Sequence, residues 1–285
     1  MADPANVATP TTKLDPAIAI QYALLVQMAE KVQPNQTVYN PGTPINVTYD
    51  SINVNYKAVA TVDGNDLATG IGSVDPAKPV SFGFIAQDSA GNVVVAVRGT
   101  ANAFEWAQDA RFLPVKCPIL PGAGFTAEGF TAVYKSLRIR SEAGSPLLVS
   151  GLSSMKFPQS VTSLTICGHS LGGALVTLMA LDVVANTKLP NPTVYSYASP
   201  RTGNGSFVDT YNQLVPKTFR IFNRYDSVPT LPPLYDHVLQ PYELNDFKSV
   251  KADLACQHHL TTYLHLLSLQ TGGTRLPLNP ECVPA

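Results

Sequence analysis

The chemistry in this chain starts at Gly168-His169-Ser170-Leu171-Gly172, where a serine stands between two glycines. A serine hydroxyl becomes a nucleophile only when an adjacent base takes its proton. The G-x-S-x-G spacing suits that chemistry when it falls between a strand and a helix. The serine then sits on a strained elbow, and the glycines let strand and helix approach closely. Leu164-Thr165-Ile166-Cys167 is a short β-branched, apolar run, and residues 173–181 continue at helical length without a breaker. This reads as strand, tight turn, helix. The bland alternative, a glycine-flanked serine in a surface turn, loses weight in that context. Ser170 is therefore the candidate nucleophile. Leu171 opens the helix, so its backbone N–H is a candidate oxyanion donor.

A nucleophilic serine needs a base and a carboxylate that holds the base's tautomer. On an α/β-hydrolase scaffold they follow in the order acid, then histidine. Asp226 lies just after a predicted strand at 218–222, at the kind of strand end where sites gather. In isolation, Asp226-Ser227-Val228-Pro229 would be read first as an aspartate capping a turn. Five histidines compete for the base. His169 adjoins Ser170 and should point elsewhere, His237 starts a predicted strand, and His265 lies inside the last helix. His258 and His259, both at the start of a helix, remain.

The positioning elements follow from periodicity. Residues 1–13, rich in Thr, Pro and Ala, read as a flexible arm. Asp15-Pro16 caps a helix with an apolar stripe at Ile18, Tyr22, Leu25, Ala29 and Val32. Val47, Tyr49, Ile52, Val54 and Tyr56 alternate as in an antiparallel ribbon, and 80–87 with 92–97 read as a hairpin. Its second strand is apolar on both faces, hence central, and runs into Arg98-Gly99-Thr100. Residues 101–111 hold Phe104, Trp106 and Asp109. They read either as an ordinary amphipathic surface helix or as a lid over an apolar cleft. Helices are expected at 129–140, 146–156 and 206–215, with strands at 193–198 and 218–222. Alternating strands and helices around an elbow imply an α/β fold with a mainly parallel sheet covered on both faces. With no repeat or linker, 1–285 reads as one domain.

Composition narrows the function. Charged residues make up 14% and the formal net charge is −1, so no basic field exists to hold nucleic acid, and a neutral or apolar substrate fits better. No apolar stretch approaches the ~20 residues of a membrane span, and the first residues lack a signal-peptide pattern. Cys117, Cys167, Cys256 and Cys282 show no zinc spacing. Cys167 reads as a buried thiol, and a Cys256–Cys282 bridge is one connectivity among those the spacing leaves open.

Several motifs in order resemble those of the class 3 lipases. They are Arg98-Gly99-Thr100, Glu105-Trp106 with Asp109, Gly129-Phe130 with Tyr134, residues 168–173, residues 199–204 and residues 226–232. The resemblance implies an α/β-hydrolase fold with a short helical lid. It also implies a triad of Ser170, Asp226 and a histidine, an oxyanion hole from Thr100 and Leu171, and a lid carrying Phe104, Trp106 and Asp109. Bacterial and plant relatives read H-x-x-x-x-Y-L, which selects His258 through Tyr263. The fungal H-L-x-Y fits His259 only with an insertion. The implied activity is hydrolysis of triacylglycerols and related lipid esters at an oil–water interface, by a secreted monomer needing no metal or organic cofactor. A feruloyl-type or other carboxylesterase and a phospholipase A1 are alternatives on the same fold. A lipase-like binding protein without turnover is a rival from another class.

Overall fold

The computed structural model describes residues 13–31, 39–65, 79–100, 112–141 and 144–284. The expected arm, apart from Lys13, and the expected lid with Phe104, Trp106 and Asp109 lie outside the described residues.

Strands β1 (Pro44–Tyr49), β2 (Ile52–Gly64), β3 (Val80–Asp88) and β4 (Asn92–Val97) pair in sequence, each antiparallel to the last. From β4 the sheet turns parallel through β8 (Ser163–His169), β9 (Thr193–Tyr197), β10 (Thr218–Asn223) and β11 (Pro241–Leu244). The central position of β4, between an antiparallel and a parallel neighbour, explains why its side chains are apolar on both faces. A separate hairpin, β5 (Pro114–Lys116) with β6 (Phe125–Ala127), stands beside the sheet.

Two layers of helix cover the sheet. On one face α2 (Glu128–Ser136), α3 (Leu148–Ser154), α4 (Leu171–Asn186) and α5 (Gly205–Leu214) bury Val93, Val95, Leu164 and Ile166. On the other, α1 (Pro16–Glu30), α6 (Leu254–His258) and α7 (Leu260–Thr271) bury Val94, Ala96, Cys167 and Tyr197. Strand alternation assigns the side chains of β8: 164 and 166 face α4, while 165, 167 and 169 face α1. Asp15 caps α1 as expected, its carboxylate accepting from the Ala17 N–H at 2.9 Å.

Several sequence expectations need correction. The buried face of α1 is broader than the expected stripe, comprising Ala19, Ile20, Gln21, Ala23, Leu25, Val26 and Ala29, because the helix is wedged between the sheet and α7. Ile18 is 38% exposed, Tyr22 is half-buried against the Tyr195 ring, and Val32 lies outside the described residues. The helix expected at 129–140 stops at Ser136 because Leu137 turns extended. Arg138–Ile139 then pair with Asp63 and Val62 of β2 as strand β7, and Arg140 clamps the Asp63 carboxylate at 2.6 and 2.7 Å. The helix expected at 146–156 is shorter, Leu148–Ser154. His237 does not start a strand. It lies in the loop before β11 and donates from Nε2 to the Pro229 carbonyl at 2.6 Å.

Cys256 and Cys282 form a disulfide that ties the C-terminal segment to α6, while Cys117 and Cys167 are buried free thiols.

Candidate active site

Ser170 follows β8 and precedes α4, with φ 57° and ψ −127°. A non-glycine residue held there stores about 1–3 kcal/mol of strain. Burying one leucine or valine contributes about 1.5–3 kcal/mol. Leu171, Leu175, Val176 and Leu178 are all buried in α4, so packing of the helix outweighs the strain at its start. Ser170 donates its N–H to the Tyr197 carbonyl at 2.9 Å, and its carbonyl accepts from Gly173 N at 2.8 Å. The flanking glycines are there for space. A methyl on Gly168 would sit 2.5 Å from the Gly172 oxygen, and one on Gly172 would sit 2.5 Å from the Val97 oxygen and 2.6 Å from that of Arg98.

The end of β4 comes up against the elbow: a methyl on Gly99 would be 2.9 Å from Ser170 Cβ. Thr100 follows directly, and Leu171 is the first residue of α4, where backbone N–H groups have no partner within the helix. Arg98 is a buried strut rather than a substrate contact. Its side chain donates to the carbonyls of Ser81 (2.7 Å) and Gly99 (2.6 Å) and lies over the Phe82 ring.

His258, at the end of α6, reaches Ser170 Oγ with Nε2 at 2.9 Å and Asp226 Oδ2 with Nδ1 at 2.7 Å. A carboxylate can only accept, so Nδ1 carries the hydrogen and Nε2 is left bare to accept from the serine hydroxyl. All three side chains are buried. The bland and the chemical readings of Asp226 hold together. One oxygen accepts from Val228 N at 2.9 Å and caps the turn, while the other faces His258. His259 instead caps α7, where its Nδ1 accepts from Thr261 N at 3.2 Å.

Around this trio is a network that the motifs do not announce. Tyr263 of α7 donates its hydroxyl to Asp226 Oδ2 at 2.7 Å and accepts from Asn223 N at 3.0 Å. Burial and the neighbouring Asp226 charge push this phenol well above its ordinary pKa, so it stays a donor. Asn223 in turn donates to the Gln257 backbone and side-chain oxygens at 2.9 and 2.7 Å, linking the acid loop to the histidine segment. The spacing of Tyr263 from His258 was the available signal, but it marked which histidine to choose rather than what the tyrosine does. His169 does point away from Ser170, towards α1, as expected for its place in β8.

A cavity of about 350 Å³ lies elsewhere, lined by Ile119, Tyr134, Leu137, Leu148, Asp182 and Asn186. Asp182 there is already engaged by Tyr134 and Asn186, and the lining holds none of Ser170, Asp226 and His258.

The class 3 lipase family model matches residues 94–236. Among curated relatives, phospholipase A1-II 7 of Oryza sativa subsp. indica is 32% identical over 213 residues, which are 64% of this chain and 52% of the relative. Secreted mono- and diacylglycerol lipase A of Penicillium cyclopium is 30% identical over 200 residues, 65% of this chain and 62% of the relative. The chain thus spans about half the length of the first of these. The triacylglyceride lipase of Rhizomucor miehei has a TM-score of 0.59 at 20% identity, covering 80% of this chain and 79% of that one. A lipase of Yarrowia lipolytica gives 0.55 at 20%, covering 85% and 81%. These structural likenesses establish the α/β-hydrolase fold. With half its length matched by the family model, the elbow and acid loop included, the chain belongs to the class 3 lipases.

Proposed function

We propose that this chain is a lipase hydrolysing the carboxylic ester bonds of triacylglycerols and related lipid esters through an acyl-enzyme. One observation carries the reading: the unbroken hydrogen-bond chain from Ser170 through His258 to Asp226. Ser170 attacks the ester carbonyl as His258 takes its proton, and the oxyanion is received by the backbone N–H groups of Thr100 and Leu171, with the Thr100 hydroxyl as a further donor. The protonated His258 then releases the alcohol, and water repeats the sequence to free the acid. Asp226 holds the Nδ1–H tautomer throughout. Phe104, Trp106 and Asp109 belong to the proposed lid. The continuous sheet from β1 to β11 supports one hydrolase domain over 1–285. Secretion is supported by the secreted lipase relatives of Fusarium solani and Penicillium cyclopium, and by the disulfide, a bond favoured in oxidising compartments. The enzyme is proposed to work as a monomer at an oil–water interface.

The rice relatives named phospholipase A1 favour a second reading, in which phospholipids are the substrate of the same triad. Emulsified triglyceride, phosphatidylcholine vesicles, methyl ferulate and p-nitrophenyl esters from acetyl to palmitoyl separate the readings, each assayed beside Ser170→Ala. The expected result is turnover of triglyceride and long-chain esters, reduced roughly a millionfold by the substitution. Turnover of phosphatidylcholine alone moves the assignment to phospholipase A1, and turnover of ferulate or acetyl esters alone moves it to an esterase. Unchanged turnover in Ser170→Ala, or none in the wild type, overturns the proposal.

A further inference from the structure

The residue before the nucleophile touches the residue that would activate it. His169 Nε2 lies 2.9 Å from the backbone carbonyl of His258, and His169 Nδ1 lies 3.0 Å from Glu30 Oε1 at the end of α1. Both partners are acceptors. Both contacts are hydrogen bonds only when the ring carries a hydrogen on each nitrogen. The imidazole is nearly enclosed, its side chain 7% exposed against 30% for that of Glu30, so water is a poor substitute for either partner. The His169 and His258 rings are 4.9 Å apart, and Tyr263 meets His169 edge-on at 5.9 Å.

We propose that Glu30 and His169 are positioning residues that seat His258. Glu30 takes the Nδ1 hydrogen of His169, and the Nε2–H grips the His258 carbonyl and fixes the base against Ser170. The inference rests on His258 being the base.

The seat depends on which ring nitrogens carry hydrogen. A ring with a single hydrogen would keep it on Nδ1, because a carboxylate is the stronger acceptor. Nε2 then presents a lone pair to the His258 oxygen, and a grip becomes a repulsion. The groups facing His169 are Glu30 from α1, the His258 ring from α6, and His259 and Tyr263 from the start of α7, with Asp226 behind Tyr263. Of these, Glu30 alone hydrogen-bonds the His169 ring through a charged side chain.

Glu30→Gln discriminates. Its amide can turn an N–H towards Nδ1, so a neutral ring keeps its hydrogen on Nε2 and the grip on the His258 carbonyl persists. Two readouts are taken on the full chain. The first is the nitrogen NMR signature of the His169 ring, correlated through bonds to its backbone amide. It should show a hydrogen on both ring nitrogens in wild type and on Nε2 alone in Glu30→Gln. The second is kcat and KM on p-nitrophenyl butyrate for wild type, His169→Leu and His169→Gln, whose amide keeps an N–H for the His258 carbonyl. His169→Leu should lower kcat roughly tenfold with KM little changed, and His169→Gln should stay within about twofold of wild type. A hydrogen missing from either His169 ring nitrogen in wild type overturns the proposal whatever the enzyme does with esters. The expected ring states with equal kcat in all three proteins overturn the link to the base. Absence of ester turnover sinks the hydrolase reading instead, and the ring signature still decides whether Glu30 and His169 are paired as stated.

Discussion

The nucleophile and its base come from opposite layers of the molecule and are held in opposite ways. Ser170 belongs to the β8–α4 side, and backbone fixes it: a positive φ, two main-chain hydrogen bonds and flanking glycines too crowded to carry a methyl. His258 belongs to the α1–α6–α7 side, and side chains fix it: Asp226 on Nδ1, Tyr263 and the Asn223–Gln257 bridge behind that acid, and His169 on its carbonyl. Each half is therefore vulnerable in its own way. The elbow should fail through sterics and lost fold, and the base through lost orientation in a molecule that stays folded.

The sharpest test of that division is Asp226→Asn. The amide keeps the volume but favours the wrong His258 tautomer, so kcat should drop about 10⁴-fold with little change in the far-UV spectrum. A drop of less than tenfold would mean that the base is held by something other than this carboxylate. On the other side, Gly172→Ala should gain about 1 kcal/mol of helix propensity. The methyl would meet two carbonyl oxygens at 2.5 and 2.6 Å, and overpacking of this kind costs about 1–3 kcal/mol. With carbonyl oxygens rather than flexible side chains in the way, the clash wins, and urea denaturation should show a net loss of up to about 2 kcal/mol. A stabilised Gly172→Ala would refute the close approach. Tyr263→Phe removes one donor from Asp226 and leaves the ring in place. Such a bond to a charged group is worth about 1.5 kcal/mol, so kcat should fall roughly tenfold while KM barely moves.

The smallest effect comes from His237, whose Nε2–H holds the Pro229 carbonyl in the acid loop. Burial first, and then the Arg220 charge, lower its pKa from 6.5 to about 3. The unfolded chain binds this proton at a higher pH than the folded one. His237 therefore contributes to stability fully above about pH 6.5, and the contribution is lost as pH falls towards about 3. His237→Asn should narrow the Tm difference between pH 7 and pH 4.5 by about 2–4 °C. An unchanged difference would show that the ring does not titrate as stated.

The two sides also differed in how far the sequence revealed them. The elbow is contiguous, so residues 164–181 display strand, turn and helix at once. The base side is assembled across the sheet. Asp226 was a candidate by its place after a strand, and the class 3 lipase resemblance singled out both it and His258, whereas the Tyr263–Asp226 bond and the Glu30–His169–His258 contacts join residues dozens to more than a hundred positions apart. Strand β7 was hidden for the same reason, since its pairing with β2 overrides a locally helical pattern. Ile18 was misplaced because periodicity shows that a helix has a buried face without showing how many elements press on it.

The backbone of Ser170 has a consequence for how such a chain evolves. At φ 57° and ψ −127° a glycine would be at ease and a serine is not. Ser170→Gly should therefore give a protein that folds more firmly and turns over nothing. Selection for folding alone would discard the serine, and lineages released from the need for ester hydrolysis should lose it first.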